Sequence, residues 1–517
     1  MATPSLIEQM MQPGFYPHPV REPIQMQQTH VSYVFLTGDY AYKVKKPVNF
    51  GFLDFSTLER RHHFCLEEIR MNQEIAPELY LDVLPITQLD NRLELNGTGE
   101  PVEYVLKMRE FPQDDLFSCL FERGHLTESH LEELGRIVAR FHAKAQTNEY
   151  IRSFGEVSKV RQAFDENYEQ TKKYIGAPQT LEQFEETKAF TDEFFMTRQE
   201  VLNSRIQNNW IRECHGDLHL RNICLWQGKI LLFDRIEFNE PFRFVDVMYD
   251  VAFAVMDLEA RGRKDLGNAF LNTYIEQTGD WEGLQVLPLY LSRQAYVRAK
   301  VTSFLLDDPG VSDDLKKEAQ ETAAMYYKLA WNYTRSQKGR LILMSGVSGS
   351  GKSTVARQLA RRWGAIHIRS DAARKHLAGI PLEQTGGAEL YTSQMNEKTY
   401  GRLLELGVLL ANQGFPVILD AKYDRQVLRQ NAIAQANQHD LPIEIIYCTA
   451  PDGVLRDRLS SRTNDVSDAT VDLLQQQKAA TEPFTEAELS LVTELDTTQD
   501  WSSKFLTKDQ LRSVDFG

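Results

Sequence analysis

Leu341-Ile342-Leu343-Met344-Ser345 runs directly into Gly346-Val347-Ser348-Gly349-Ser350-Gly351-Lys352-Ser353-Thr354, and this stretch decides the fold of the C-terminal part of the chain. The apolar run reads as a strand buried in a parallel sheet, and Thr354–Trp363 reads as the helix that follows. Between them the glycines let successive backbone N–H groups turn inward, and the helix N-terminus adds positive potential. That geometry suits phosphate. In the motif G-x-x-x-x-G-K-[ST], Lys352 is placed to reach the β- and γ-phosphates of a nucleotide and the Ser353 hydroxyl to ligate Mg²⁺. All the fixed positions and both flanking elements are present, so ATP with Mg²⁺ is the expected ligand of residues Gly346 to Thr354.

Outward from this loop, AIHIRS, FPVILD and PIEIIYC are further short apolar runs separated by helix-length segments, the pattern of a parallel α/β sheet. Asp371 falls just past the second strand, where it can accept a proton from an acceptor hydroxyl or cap the helix that follows. Arg374 lies one turn on, on the same face. Asp420 ends the third strand, placed to hold Mg²⁺ through water. After the fourth strand, Arg456, Arg458 and Arg462 follow; Arg458 and Arg462 share a helix face and either close over a transferring phosphoryl group or form a solvated basic surface. Together, G-V-S-G-S-G-K-S-T, R-S-D-A-A-R, V-I-L-D and R-D-R-L-x-x-R resemble the P-loop kinase branch that includes polynucleotide 5′-kinase, gluconate kinase and zeta-toxin-like kinases. The resemblance covers about residues 340–513. It implies Asp371 as general base, with Lys352, Arg458 and Arg462 stabilising the transferred charge.

A second constellation lies upstream. Cys214-His215-Gly216-Asp217-Leu218-His219-Leu220-Arg221-Asn222-Ile223 is followed, after a short hairpin, by Ile230-Leu231-Leu232-Phe233-Asp234. An Asp, an Asn five residues on and an Asp ending a strand 12 residues later reproduce the order of a protein-kinase-type phosphoryl-transfer site. Asp217 would accept the acceptor's proton, and Asn222 and Asp234 would clamp Mg²⁺. H-G-D-x-H-x-x-N resembles the aminoglycoside phosphotransferase and choline-kinase-like family, a likeness spanning roughly residues 26–333. It implies a bilobal protein-kinase-like fold whose Val31–Phe111 segment is the N-lobe. The strand KVKK would then supply the phosphate-pairing lysine, Lys43 or its same-face neighbour Lys45, and Glu68 or Glu67 would position it. Asp246 and Asp250 match the family's trailing Asp, which braces the catalytic loop. Two departures stand out: no Gly-rich loop precedes the lysine strand, and Arg235 follows Asp234, where a guanidinium could weaken Mg²⁺ binding or contact substrate. The tandem order is similar to that of bacterial proteins described as bifunctional aminoglycoside phosphotransferase/ATP-binding proteins.

Length and composition agree with several globular units. The chain has 517 residues, 42% hydrophobic and 25% charged, an ordinary globular balance. The expected division is an extended lead-in over 1–25, a kinase-like domain over 26–333 (lobes about 26–111 and 112–333), a linker over 334–340 and a P-loop domain over 341–517. An α+β part is thus followed by an α/β part. Ser129 and Glu132 are placed to form a capping box in the helical region that begins after residue 125. With 58 basic and 73 acidic residues the net charge is −15, which argues against tight duplex binding but leaves room for a pocket that grips a nucleic-acid end. The cysteines are scattered, no apolar run is long enough to cross a bilayer, and the first residues lack a secretory pattern, so a cytoplasmic location is expected. Two function classes follow: a phosphotransferase with two active halves acting on small-molecule or nucleic-acid-end hydroxyls, or one active P-loop kinase with a nucleotide-sensing first half.

Overall fold

The computed structural model describes residues 5–89, 92–335, 337–461 and 473–505. Its contacts divide the chain into two compact units, 1–257 with 289–330, and 258–288 with 331–517. The segment 258–288, expected inside the kinase-like domain, therefore groups with the P-loop unit.

The first unit opens with an antiparallel six-stranded sheet in the order Gln25–Gln28, Ser32–Leu36, Tyr40–Lys45, Glu100–Arg109, Tyr80–Leu89, Arg92–Leu95. Val31–Pro47 alternates as a hairpin should. Its inward side chains Phe35, Tyr42 and Val44 pack with Ile86 and Val105. The lead-in is not simply extended. It holds a short helix, Leu6–Met10, and buries Met10, Tyr16 and Ile24 in that same core. The helix Leu58–Gln73 crosses the sheet and is started by Thr57, whose hydroxyl accepts from Arg60 N–H. From Phe117 onward the unit is mainly helical, interrupted by the antiparallel pair Ile223–Trp226 and Lys229–Leu232. Cys224 and Leu231 of that hairpin pack with Leu79, Tyr80 and Leu106 of the sheet, tying the two lobes together. The helix Glu128–Lys144 is capped by Thr127 with His130 completing the box, two residues earlier than Ser129 and Glu132. Thr127 wins because its backbone is extended, as an N-cap requires.

The second unit is built on a five-stranded parallel sheet in the order Ile366–Arg369, Pro416–Asp420, Arg340–Ser345, Ile443–Thr449, Val492–Asp496. Four of these are the apolar runs of the sequence. The fifth, VTELD, is an edge strand whose polar residues hide it. The core sits between sheet and helix, where Ile342, Met344 and Ile418 meet Val355, Ala356 and Leu359 of the helix Lys352–Trp363.

The helix Lys264–Thr278 covers the other edge of this sheet. Asn268 and Asn272 donate to the Ala365 carbonyl at 2.9 and 3.0 Å, and His367 N–H donates to Asn272 Oδ1 at 2.8 Å. Glu276 stands 3.5 Å from Arg369, and its carbonyl oxygen lies 2.8 Å from His376 Nε2. A fragment beginning at residue 334 lacks all of these partners and exposes an edge strand. Expressed alone, it is expected to aggregate or to melt well below the full chain, as light scattering and thermal denaturation would report.

Candidate active sites

The loop Gly346–Gly351 leaves the end of the central strand and enters the helix Lys352–Trp363. Three of its glycines hold φ values L residues rarely adopt: 132° at Gly346, 81° at Gly349 and 89° at Gly351. A Cβ at Gly346 would stand 2.4 Å from the Cys448 carbonyl oxygen and 2.9 Å from Ser350 Oγ, so only glycine closes this turn. The Ser350 hydroxyl is buried without a hydrogen-bond partner among the described residues. Lys352 Nζ donates to the Val347 carbonyl at 2.9 Å, folded across the concavity that the loop forms. Burial pushes the Lys352 ammonium down from its ordinary value, opposed by Asp420, Cys448 and Asp371, which places both carboxylates within electrostatic reach of it. These features fit a nucleotide phosphate: a glycine-rich concave backbone, a helix N-terminus and an ammonium beside it. Ser353 and Thr354 form the first turn of the helix, where the motif requires them.

Asp371 occupies the first turn of the helix Ser370–Ala378; the N-cap is Arg369, so capping is not what fixes Asp371. Asp420 ends its strand, buried, 3.0 Å from His367 Nε2. Burial raises its carboxyl, but the His367 contact and the charges of Arg369 and Lys352 prevail and hold it well below the usual range, so it is a carboxylate at neutral pH.

The arginines are placed differently from the expectation. Arg374 is buried and donates to the Leu390 carbonyl at 2.8 Å and to Asn396 at 2.7 Å. Arg458 donates to Thr497 Oγ1 at 2.8 Å, to the Thr497 carbonyl at 3.2 Å and to the Gly349 carbonyl at 3.3 Å. Thr497 in turn donates to the Ser350 carbonyl at 2.8 Å. Arg458 thus holds the loop through the Gly349 carbonyl and, by way of Thr497, the Ser350 carbonyl, instead of standing free as a lid residue. Arg462 lies outside the described residues. Thr497 was not legible in the sequence, because the edge strand before it carries no hydrophobic signature. Gln477 was missed too: its side-chain oxygen accepts the Ser348 N–H at 2.9 Å.

In the first unit, one cluster gathers residues from distant parts of the chain. Lys43 Nζ donates to Glu68 at 2.7 Å and to Asp234 at 2.6 Å, while Lys45 Nζ donates to the other Glu68 oxygen at 2.6 Å and to Glu237. Both lysines lie on the same strand face, as alternation demands, and the partners separate them. Lys43 faces the expected metal carboxylate, whereas Lys45 is sealed against Glu237, which sequence reading passed over. Glu67 pairs with Arg70 at 3.0 Å instead. Burial raises the Glu68 carboxyl, but the two ammonium groups outweigh it and bring it to about 2. Its folded value lies below its ordinary 4.5, so this group's contribution to stability is complete above pH 4.5 and is lost as pH falls toward 2. The pH slope of the melting temperature between 4.5 and 2 is expected to be steeper for wild type than for Glu68→Gln.

Asp217, Asn222 and Asp234 belong to the same lobe junction. Asn222 Nδ2 donates to the Asp217 carbonyl at 3.0 Å and to its carboxylate at 3.1 Å, leaving the amide oxygen as a ligand atom. Asp234 adopts a left-handed φ of 62°, its N–H held by the Tyr80 hydroxyl at 3.0 Å, and its carboxylate is 42% exposed. Asp217 stands 3.3 Å from His219; burial raises its carboxyl, but His219 and His215 bring it to about 2, so it is ionised and able to accept a proton. These hard oxygen donors suit Mg²⁺.

The loop itself is braced from below. Asp250, fully buried, accepts the N–H groups of His215 at 2.7 Å and Gly216 at 2.8 Å, and contacts His142 at 3.2 Å. Asp246 instead binds Arg205 at 2.6 and 2.8 Å, so of the two candidates Asp250 is the brace. Asp250→Ala strands two buried N–H groups and is expected to cost about 3 kcal/mol, read as a lower urea midpoint. The Arg235 guanidinium is committed away from the Asp234 carboxylate. The guanidinium, fully buried, donates to the Met71 carbonyl at 2.7 Å, to Glu74 at 2.9 Å and to the Glu213 carbonyl at 2.8 Å, pinning the end of the helix Leu58–Gln73 to the strand that precedes His215.

Parallel sheet, glycine loop and lysine define the second unit as a P-loop nucleotide-binding domain, and a family model described as an AAA domain matches residues 341–484. Proteins of Mycobacterium tuberculosis and Mycobacterium bovis, both described as uncharacterised, are 32% identical over 462 residues, covering 88% of this chain and 90% of theirs. The chain belongs to the family of these mycobacterial proteins. Among solved structures, a choline/ethanolamine kinase family protein from Mesorhizobium loti is similar over 64% of this chain and 98% of its own, at 10% identity and TM-score 0.37. A gluconokinase from Sinorhizobium meliloti is similar over 35% of this chain and 99% of its own, at 22% identity and TM-score 0.24. Among the described residues no helix is long and apolar enough to cross a membrane.

Proposed function

We propose that the protein is an ATP-dependent phosphotransferase with two nucleotide sites, each passing the γ-phosphate to a hydroxyl of a small molecule or nucleic-acid end. The observation that carries this reading is the loop Gly346–Lys352, whose positive-φ glycines and inward lysine form a phosphate cradle at a helix N-terminus. In the P-loop unit, Lys352 would neutralise the β- and γ-phosphates, Ser353 and Asp420 would hold the metal, and Asp371 would take the acceptor proton. Arg374 and Arg458 serve as positioning residues that fix the surroundings of the site, given the carbonyls they bind. In the first unit Asp217 would be the base, Asn222 and Asp234 would hold the metal, and Lys43, held by Glu68, would pair the phosphates. Bound Mg²⁺ would supply charge neutralisation between the phosphates.

A purely regulatory first unit is the alternative. The placement of Arg235 away from Asp234 favours catalysis, because the one side chain expected to oppose a cation is committed elsewhere. The test is transfer from γ-labelled ATP into a metabolite and RNA extract by full-length protein. Labelled products are expected, some dependent on Asp217 and others on Lys352; no labelled product would contradict the reading.

A further inference from the structure

A cavity of about 390 Å³ lies within the first unit, between the helix Val157–Thr171, the segment 239–246 and the helix Leu287–Ser303. That volume is at the small end of the range for small-molecule pockets. Its walls are largely aromatic and include Phe164, Phe242, Phe244, Tyr249 and Tyr290. Phe52, 51% exposed, contributes to the lining, 6.1 Å from Phe242 between ring centres, with its carbonyl held by Asn239.

One cation of this wall has no ion pair among the described residues. The Arg293 guanidinium is sandwiched 4.9 Å from the Tyr249 ring centre and 5.3 Å from that of Phe164. Its Nε is buried without a hydrogen-bond partner, and the side chain has no ion pair among the described residues. The other charged groups of the wall are committed. Asp246 is saturated by Arg205 and by Met248 N–H, Glu166 accepts from Gln162 at 2.8 Å, and Lys159 donates to the Ser153 carbonyl at 2.9 Å. Nearby Lys300 is pushed down to about 8 by burial and by the Arg293 charge, which agrees with an excess of positive potential.

Leaving a buried guanidinium donor without an acceptor costs free energy, and a planar oxyanion removes that cost by forming paired charge-assisted bonds. Aromatic walls accept a flat apolar body. We infer that this cavity is a binding site for a flat aromatic or apolar carboxylate, its carboxylate on Arg293 and its ring among Phe164, Phe242 and Tyr249. The site goes beyond the phosphotransferase reading and does not depend on it. It also adjoins the loop around Asp217, since a Cβ on Gly216 would stand 2.7 Å from the Phe242 carbonyl oxygen.

The test is isothermal titration of the full-length protein with 2-naphthoate and with its neutral amide. The acid is expected to saturate a single site and the amide to bind at least about tenfold more weakly, the loss of one charge-assisted pair. Arg293→Gln is expected to lower acid affinity to that of the amide, and Arg293→Lys to retain part of it. Absence of saturable acid binding, or equal affinity for acid and amide, would overturn the proposal on wild-type protein alone, whether or not the variants fold. Unchanged acid affinity in an Arg293→Gln protein with wild-type melting temperature would overturn it equally.

Discussion

Lys352→Ala is expected to remove phosphate transfer by the P-loop unit by a factor of about 10² to 10³, leaving transfer by the first unit unchanged. The Lys352 ammonium lies at the cradle, folded onto the Val347 carbonyl. Backbone N–H groups can still cup a phosphate without it, but charge developing on the γ-phosphoryl in the transition state loses its counterion in a water-poor site. The effect should therefore appear in kcat more than in KM. Labelled-product assays, separating acceptors that depend on Lys352 from those that depend on Asp217, provide the measurement.

On the proposed reading Asp217→Asn is the counterpart in the first unit, expected to lower its transfer by about 10² to 10⁴ because the acceptor hydroxyl would lose its base. The side chain keeps its size, and the oxygen that accepts from Asn222 is retained in type, so folding should be little affected. The carboxyl is held near 2 after burial is outweighed by His219 and His215. Its folded value is below the ordinary 3.8, so the base is fully ionised above that pH and is protonated only as pH falls toward 2. Rates in the first unit should consequently show no acid limb from this group between pH 5 and pH 8, a range judged against ordinary carboxylate values. A pH–rate profile of wild type against Asp217→Asn checks both points.

How far the sequence could be read depended on the kind of force at each position. The cradle was legible because its demands are local: glycines at fixed turns, a lysine after them, a strand before and a helix after. The four apolar strands of the parallel sheet were legible because burial on both faces needs continuous hydrophobicity. Val492–Asp496 escaped notice, being an edge strand with only one of its five side chains buried. Side-chain direction was not legible at all. Lys43 and Lys45 share a face, and only packing against Asp234 and Glu237 tells them apart. Arg235, Arg374 and Arg458 carry charges that suggest phosphate or metal, yet each is held by backbone carbonyls, partners that no side-chain pattern announces. The grouping of 258–288 with the P-loop unit was equally hidden, because Asn268 and Asn272 look like ordinary surface residues until the edge of the sheet is placed beside them.

The central claim is that one polypeptide holds two separate nucleotide sites. Its most direct test is the stoichiometry of a non-hydrolysable ATP analogue with Mg²⁺, measured by calorimetry on the full-length chain, on Lys352→Ala and on Asp234→Asn. Two sites per chain in wild type, with each substitution weakening a different one, is the predicted result. A single site in wild type, or two sites of which neither responds to Asp234→Asn, would contradict it.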